Sequence, residues 1–210
     1  MELELAAATA EHSDLLLGLF ERTNTPCHCQ YWHFTGDKNA WLDRLFHAPE
    51  LNRSAFVESL RAPDGELRGV VALLAGQAVG WLKLCPAERV AKLYDQRLYR
   101  GLPAFSGPRE GVLTVGCLLV DEGFRRLGVA RALVEHAVVL ANTRGARCIE
   151  AFPRRAEQAG PAELWMGPFR IFEQAGFEIV SDFGPYPVLR YTVPGIPQER
   201  RGEPSPSAAS

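Results

Sequence analysis

The sequence lacks the features that commonly direct a protein to secretion, to a membrane or to nucleic acid. Its first residues, Met1–Leu5, contain no basic stretch followed by an apolar core, so we expect no signal peptide. The apolar runs are too short and too interrupted to span a bilayer. Asp and Glu (25) outnumber Lys and Arg (23), which leaves a formal net charge of −2 and no basic excess for a polyanion. We therefore expect a cytoplasmic protein with neither nucleic acid nor membrane among its partners.

Cysteine is scarce, and its arrangement favours free thiols over disulfides. There are five cysteines, an odd number, and Cys85, Cys117 and Cys148 lie within apolar, strand-like segments. Small buried thiols in a reducing compartment explain these three better than disulfide bonds do. The segment Cys27–Cys29 with the nearby His33 suggests a metal site. Its C-x-C spacing is tighter than that of zinc sites, however, and no second ligand pair follows, so we expect no metal.

The order of predicted elements favours a single α/β (α+β) domain. A chain of 210 residues with 47% hydrophobic composition can bury one sizeable core but is short for two. Valine- and leucine-rich runs predict a hairpin over 68–84 and a strand buried on both faces at Val112–Val120. A long amphipathic helix at Gly128–Thr143, a short strand at Cys148–Phe152 and a hairpin over 177–193 follow. Hairpins combined with one strand–helix–strand unit predict a single mixed, mostly antiparallel central sheet flanked by helices.

The composition changes abruptly after Val193. Pro, Gly, Ser, Glu and Arg dominate residues 194–210, which is typical of segments that cannot bury enough apolar surface to fold. We therefore expect one domain over residues 1–193 and a disordered C-terminal tail over residues 194–210.

The clearest chemical signal is the turn between the buried strand and the long helix. The sequence there is Arg125-Arg126-Leu127-Gly128-Val129-Ala130. The first N–H groups of a helix have no internal partners, and the helix dipole favours an anion beside them. Glycine and alanine allow a ligand to approach the backbone, and Arg125 and Arg126 add positive charge. The turn therefore predicts a pyrophosphate cradle, although the pattern alone also fits an ordinary strand–helix junction with two solvated arginines.

Two motifs together resemble one known family. Arg125-x-x-Gly128-x-Ala130, placed after an apolar strand and before an amphipathic helix, resembles the R/Q-x-x-G-x-G/A signature of GNAT N-acetyltransferases. The sequence from Phe172 to Phe177, Phe-Glu-Gln-Ala-Gly-Phe, resembles the end of the fourth helix of that family. The order of predicted elements matches the family over residues 2–193. The segments Cys27–Trp32 and Glu150–Pro153 further resemble a bacterial subgroup of it.

This resemblance implies a fold, a co-substrate and a set of binding residues. The sheet would splay between its central strands, and acetyl-CoA would bind in the opening. Backbone N–H groups at the turn would hold the pyrophosphate, and the strand would pair with the pantetheine arm and place N–H groups near the acetyl carbonyl. An amine of a small molecule or peptide would attack directly in a ternary complex, in a monomer or homodimer. The implied coenzyme-binding residues are Leu118, Leu119, Val120, Arg125, Arg126, Leu127, Gly128, Val129, Ala130 and Arg131.

The sequence departs from the family pattern where acid–base groups are expected. Phe172 replaces a tyrosine that protonates the leaving thiolate in many members, and the strand Val112–Val120 contains no carboxylate. Two other catalytic candidates remain. Glu150 is a possible base if its carboxylate is desolvated, and the alternative is an outward-facing or ion-paired glutamate. Cys117 is a candidate to face the thioester, and the alternative is a buried structural thiol.

Aromatic residues supply the candidate acceptor site. Tyr31 and Trp32 are predicted to bind substrate as part of an aromatic wall, with Trp165 and Met166 as further candidates for the same wall. Core packing is the alternative for all of them. Three functions follow from these patterns: an acetyl-CoA-dependent N-acetyltransferase, a non-catalytic acyl-CoA-binding sensor that lost its acid, and a metal-binding or interaction module centred on Cys27–His33. The joint motifs favour the first.

Overall fold

The computed structural model describes residues 2–63, 65–155, 160 and 163–196. Its strands are β1 (Leu3–Ala7), β2 (Val70–Leu74), β3 (Gln77–Pro86), β4 (Val112–Val120), β5 (Cys148–Ala151), β6 (Glu178–Ser181) and β7 (Val188–Thr192). Its helices are α1 (Ser13–Arg22), α2 (Lys38–His47), α3 (Pro49–Arg61), α4 (Ala91–Tyr94), α5 (Val129–Thr143) and α6 (Phe169–Gln174). Of the predicted tail, residues 197–210 lie outside the described residues. No described helix combines the length and apolar character that crossing a membrane requires.

All seven strands belong to one sheet. Their order is β1-β2-β3-β4-β5-β7-β6, and every neighbouring pair is antiparallel except β4 and β5. The one parallel pair is connected by α5, as a crossover between parallel strands requires. This confirms the predicted mixed, mostly antiparallel sheet with flanking helices.

Helices cover both faces of the sheet. The helix α5 packs on one face through an apolar stripe with helical spacing. The helices α1 and α3 cover part of the other face, where Phe56 packs edge to face with both Phe20 and Trp81 of β3. The buried residues of the α5 stripe are Val129, Leu133, Val134, Ala137 and Ala141. Both faces of β4 are therefore inside the protein, which explains its near-continuous apolar sequence.

The sheet opens between β4 and β5. Their parallel pairing covers only Val112–Thr114 and Cys148–Glu150. Beyond Thr114, β4 continues to Val120 paired with β3 but no longer with β5. On its other edge, β4 has an irregular register with β3: Lys83 is opposite Cys117, but the next residue of β3 is opposite Val115. Gly116 is thus an extra residue in β4, a β-bulge that bends the strand. The splay that the family resemblance implies is present.

Gly80 allows the start of α5 to approach the sheet closely. It is buried in β3, and a Cβ atom there would lie 2.7 Å from Val129 Cγ1 and 3.0 Å from Leu133 Cδ1. Both contacts are tighter than packed side chains accept, and both partners belong to the first turns of α5. A glycine at this position therefore sets how near the N-terminus of α5 lies to the end of β4.

We expect Gly80→Ala to lower the free energy of unfolding by about 1–3 kcal/mol, because the added methyl overpacks the β3–α5 contact. Urea unfolding measures this. Gly123→Ala is the matched control: that glycine is exposed, has an ordinary backbone conformation, and its added methyl would meet only Asp121 Oδ1 at 3.9 Å. We expect the control to change stability by less than about 0.5 kcal/mol. Equal effects of the two substitutions would contradict the packing argument.

Candidate functional site

The turn before α5 presents a row of unpaired backbone donors. Arg126 and Gly128 both have left-handed backbone conformations, with φ of 63° and 85°. Ala132 is the first residue of the helix whose N–H finds a carbonyl, that of Gly128, at 3.0 Å. Within the described part of the chain, none of the N–H groups from Arg126 to Arg131 donates to the backbone. Six consecutive donors are thus available at the positive end of a helix dipole.

The surroundings of these donors are open and basic. A Cβ built on Gly128 meets no atom within 4 Å, and Arg126 is exposed. Arg125 is tied back to the strand: its Nε donates to the carbonyl of Val120 at 3.4 Å. Arg131 pairs with Glu135 at 2.7 Å. The turn can therefore admit a large anion against its backbone, as a pyrophosphate cradle must.

Successive residues of β4 point their backbone N–H and C=O groups alternately toward the splay and toward β3. The N–H of Leu118 points into the splay, where it donates to the carbonyl of Trp165 at 2.8 Å. The carbonyl of Gly116 also faces the splay and accepts from the indole Nε1 of Trp32 at 3.0 Å. Leu119 lies opposite Trp81 of β3, so its backbone groups point the other way. Of the three strand residues predicted to bind pantetheine, Leu118 and Val120 are those whose backbone faces the opening.

A segment before α6 lies within the splay. Besides the Trp165 carbonyl on β4, the carbonyl of Gly167 accepts from the N–H of Arg154 at 3.3 Å. The N–H of Phe169 in turn donates to the Arg154 carbonyl at 3.4 Å. The segment therefore bridges β4 and the residues that follow β5, on the route an extended ligand would take. The Trp165 ring stacks on Trp32 with ring centroids 5.5 Å apart.

A cavity of about 550 Å³ adjoins this point and is called the aromatic cavity below. Trp32 and Trp165, which contact β4 through hydrogen bonds, both line it, so it reaches the open edge of the strand. The predicted wall of Trp32, Trp165 and Met166 is thereby brought together. Tyr31 packs instead against Trp41 and the ammonium of Lys92 and does not line the cavity. Other lining residues are Leu93, Gln96, Arg97, Leu98, Tyr99, Phe152, Arg154, Glu163 and Tyr186.

Tyr99 contributes a phenol to the aromatic cavity. Its side chain is buried, with 8% of the residue exposed, and it lines the cavity. Burial, followed by the neighbouring Tyr186, raises the pKa of Tyr99 to about 12. The phenol is therefore protonated at any physiological pH, and its O–H can donate a hydrogen bond to a group in the cavity.

Glu150 is enclosed by basic and hydroxyl groups. It is fully buried at the last β4–β5 pair, opposite Thr114. Its carboxylate accepts from Arg109 and Arg190, and from the Tyr94 hydroxyl at 2.7 Å. This arrangement corresponds to the ion-paired alternative, with the carboxylate oxygens already engaged. Its role as a catalytic base stays a prediction that this geometry does not favour.

Cys117 and the Cys27–Cys29 segment lie on the α1 face of the sheet. Cys117 is buried in the same apolar cluster as Cys29, and neither lines the aromatic cavity. All five cysteines are free thiols, and Cys85, Cys117 and Cys148, the three expected to be small buried thiols, are indeed buried. His28 packs its ring on Phe20, with centroids 5.0 Å apart. Among the residues that the structure describes, no three His, Cys, Asp or Glu side chains are grouped as metal ligands.

Phe172 is fully buried in the α5-side core, where it packs edge to face with Phe177. Many members of the family that the sequence resembles carry a tyrosine acid at this position. In this chain the position holds a hydrophobic core residue instead.

Sequence reasoning missed the groups whose role depends on long-range pairing. Arg109 and Arg190 meet Glu150 from distant segments of the chain. One available signal was overlooked: Gly116 interrupts an otherwise apolar strand, and an isolated glycine in a strand indicates a bulge or a close backbone approach.

Comparison with known proteins agrees with this geometry. The family model described as "Acetyltransferase (GNAT) family" matches residues 28–160. No curated protein matches the sequence. Solved structures with the same fold include the PaiA N-acetyltransferase from Thermoplasma acidophilum in complex with coenzyme A (TM-score 0.53, 10% identity, 91% of this chain and 99% of that chain). The GNAT domain of S. lividans PAT is also similar (TM-score 0.54, 18% identity, 91% and 90%). A GNAT-family acetyltransferase from Streptococcus pneumoniae has a TM-score of 0.53 at 14% identity (91% and 99%).

We expect Glu150→Gln to lower the free energy of unfolding by about 3 kcal/mol, because two largely buried guanidinium groups lose their counter-charge. Chemical denaturation measures this. The control is Glu135→Gln, which removes the same charge from an exposed pair with Arg131 and should cost less than about 0.5 kcal/mol. A Glu150→Gln protein as stable as the parent would show that the buried cluster does not hold the strands together.

Proposed function

Because this chain belongs to the acetyltransferase (GNAT) family, we propose that it is an N-acetyltransferase that transfers the acetyl group of acetyl-CoA to an amine. The observation that carries the proposal is the row of unpaired N–H groups from Arg126 to Arg131, placed beyond the end of a strand whose inner edge is open. One neighbour of similar fold is a complex with coenzyme A, which supports the same co-substrate. The amine belongs to a small molecule or a peptide.

The coenzyme fits the described groups in two parts. The pyrophosphate would accept hydrogen bonds from the cradle N–H groups, with Arg126 as a free positive side chain beside it. Gly128 matters because any side chain there would project into the space that the phosphates need. The pantetheine arm would run along β4 and pair with the backbone of Leu118 and Val120. The N–H of Leu118 already donates to the carbonyl of Trp165, so the pantetheine arm would have to replace this hydrogen bond when it binds.

The reaction needs no covalent enzyme intermediate. The amine nitrogen attacks the thioester carbonyl carbon, the C–S bond breaks, and the thiolate of coenzyme A leaves. The amine loses a proton to water, and the thiolate takes one up. Backbone N–H groups at the bulge would stabilise the oxyanion, while the aromatic cavity orients the acceptor beside Gly116–Leu118. We assign Glu150 and Cys117 to structure in this scheme and Tyr99 to protonation of the thiolate.

A second function is favoured by one observation. Phe172 lies where many family members carry the acid, and it is sealed in the core. A non-catalytic acyl-CoA sensor would bind acetyl-CoA and never release thiol. Both functions therefore predict that the protein binds acetyl-CoA, but only the acetyltransferase releases the thiol of coenzyme A.

We expect Gly128→Glu to abolish acetyl-CoA binding, because a carboxylate would stand where the phosphates approach the N–H groups. Calorimetric titration of both proteins with acetyl-CoA and with free coenzyme A measures this. Val139→Glu is the control: it adds the same charge to an exposed position of α5, about 16 Å along the axis. We expect it to bind like the parent. If Gly128→Glu binds acetyl-CoA as well as the parent, the cradle is wrongly placed.

We expect Tyr99→Phe to lower kcat by about 10- to 100-fold with little change in KM for acetyl-CoA, because the proton donor is lost and the coenzyme contacts are not. Since the pKa of Tyr99 is about 12, activity that depends on its protonated form should persist through pH 10. Thiol release with an amine that the parent accepts measures both. Tyr186→Phe, on the exposed rim of the same cavity, is the control and should change little. An unchanged kcat for Tyr99→Phe would remove Tyr99 as the donor.

A further inference from the structure

Lys83 is a buried lysine whose side chain has no partner among the described residues. It lies inside β3 and only 2% of the residue is exposed. Among the residues that the structure describes, none forms a hydrogen bond or an ion pair with it. Lysines are almost never buried to this extent unless they are paired, because removing an ammonium group from water costs several kcal/mol. The position therefore calls for a negative group that the described chain itself does not supply.

A cavity of about 250 Å³ gives such a group access to Lys83. We call it the Lys83 cavity. Its polar lining comes from Gln30, His33, Ser59, Arg68, Lys83 and Arg89, and no described carboxylate lines it. It lies on the other side of the Tyr31–His33 turn from the aromatic cavity, with which it shares no lining residue.

Three basic side chains are among the described residues that line this cavity. Arg68 and Arg89 both contact Glu66, at 2.7 and 2.9 Å, whereas no described residue forms an ion pair with Lys83. Two buried thiols report the influence of Lys83. Burial raises the pKa of Cys29 and of Cys85, and the charge of Lys83 opposes the rise in both. Lys83 and one of these thiols, Cys85, both line the cavity.

We propose that the Lys83 cavity binds a small oxyanion, a carboxylate or a phosphate, with Lys83 as its central contact and the two arginines at its rim. Guanidinium and ammonium groups are the usual ligands of both anions. The site stands apart from the coenzyme cradle on the opposite face of the sheet, so the proposal does not rest on acetyl transfer.

The Lys83 cavity is nevertheless connected to β4 through the side chain of Lys83. A Cβ atom at Gly116 would lie 3.3 Å from Lys83 Cδ and 3.5 Å from Trp32 Cδ1. The aliphatic stem of Lys83 therefore passes directly beside the bulge of β4. An anion that fixes the Lys83 amine also fixes the stem against the bulge.

The test is calorimetric titration of the full chain with inorganic phosphate and, separately, with acetate, in chloride buffer of matched ionic strength. Four proteins are compared: the parent, Lys83→Met, Gly128→Glu and Lys38→Met. Methionine keeps an unbranched stem, and Lys38 is an exposed lysine at the start of α2. We expect saturable binding of at least one probe to the parent, weakened about tenfold or more by Lys83→Met and unchanged in the other two. The probe that binds distinguishes a phosphate site from a carboxylate site.

Three results would overturn the proposal. Binding lost only in Gly128→Glu would assign the phosphate to the coenzyme cradle. Equal binding to the parent and to Lys83→Met would mean an adventitious ion only. No saturable heat with either probe on the parent would mean that Lys83 needs no anion, a result that holds even if Lys83→Met does not fold. None of these depends on whether acetyl-CoA binds.

Discussion

The separation of β4 from β5 after three residue pairs is the constraint on which the rest of the structure depends. At the last pair, Glu150 is held by Arg109, Arg190 and Tyr94 in a place with no access to solvent. Two guanidinium groups offset the cost of burying the carboxylate, and the hydroxyl satisfies a further lone pair. The pairing of β4 with β5 ends at this cluster. Beyond it, the backbone N–H and C=O groups on this edge of β4 can form hydrogen bonds with an amide-containing ligand. If β4 and β5 stayed paired, these groups would be bonded to β5.

The open edge and the helix N-terminus are aligned because β4 leads directly into the turn before α5. From Gly116 to Val120 the strand advances about 13 Å, and the unpaired N–H groups begin just past its end. An elongated ligand with an anionic head and an amide-containing arm therefore meets complementary groups along its whole length. Gly80 contributes from the neighbouring strand, since it allows α5 to lie close enough for the two halves to act together.

The sequence predicted the parts of this arrangement that are local. The turn Arg125–Ala130 and the helix after it were recognisable because cradle chemistry depends on neighbouring residues and on helix geometry. The parting of the strands was expected only from family resemblance. The Glu150 cluster joins segments 40 and 41 residues apart, and no periodicity in any of them specifies the others. Lys83 is a similar case. The sequence of its strand predicts burial, but nothing in the neighbouring sequence shows that Lys83 has no counter-charge among the described residues.

The loss of a tyrosine at position 172 has a limited chemical cost. A thiol has a pKa of about 8.5, so a departing thiolate is a far better leaving group than an alkoxide or amide and gains comparatively little from an acid. The larger part of the barrier lies in bringing the amine to the carbonyl carbon and in holding the negative charge that develops on the oxygen. Backbone groups at the bulge of β4 and the aromatic cavity can meet both needs, and in the proposed scheme Tyr99 supplies the proton that Phe172 cannot. Phe172 can therefore serve the core, through its contact with Phe177, while the chemistry depends on where β4 is held.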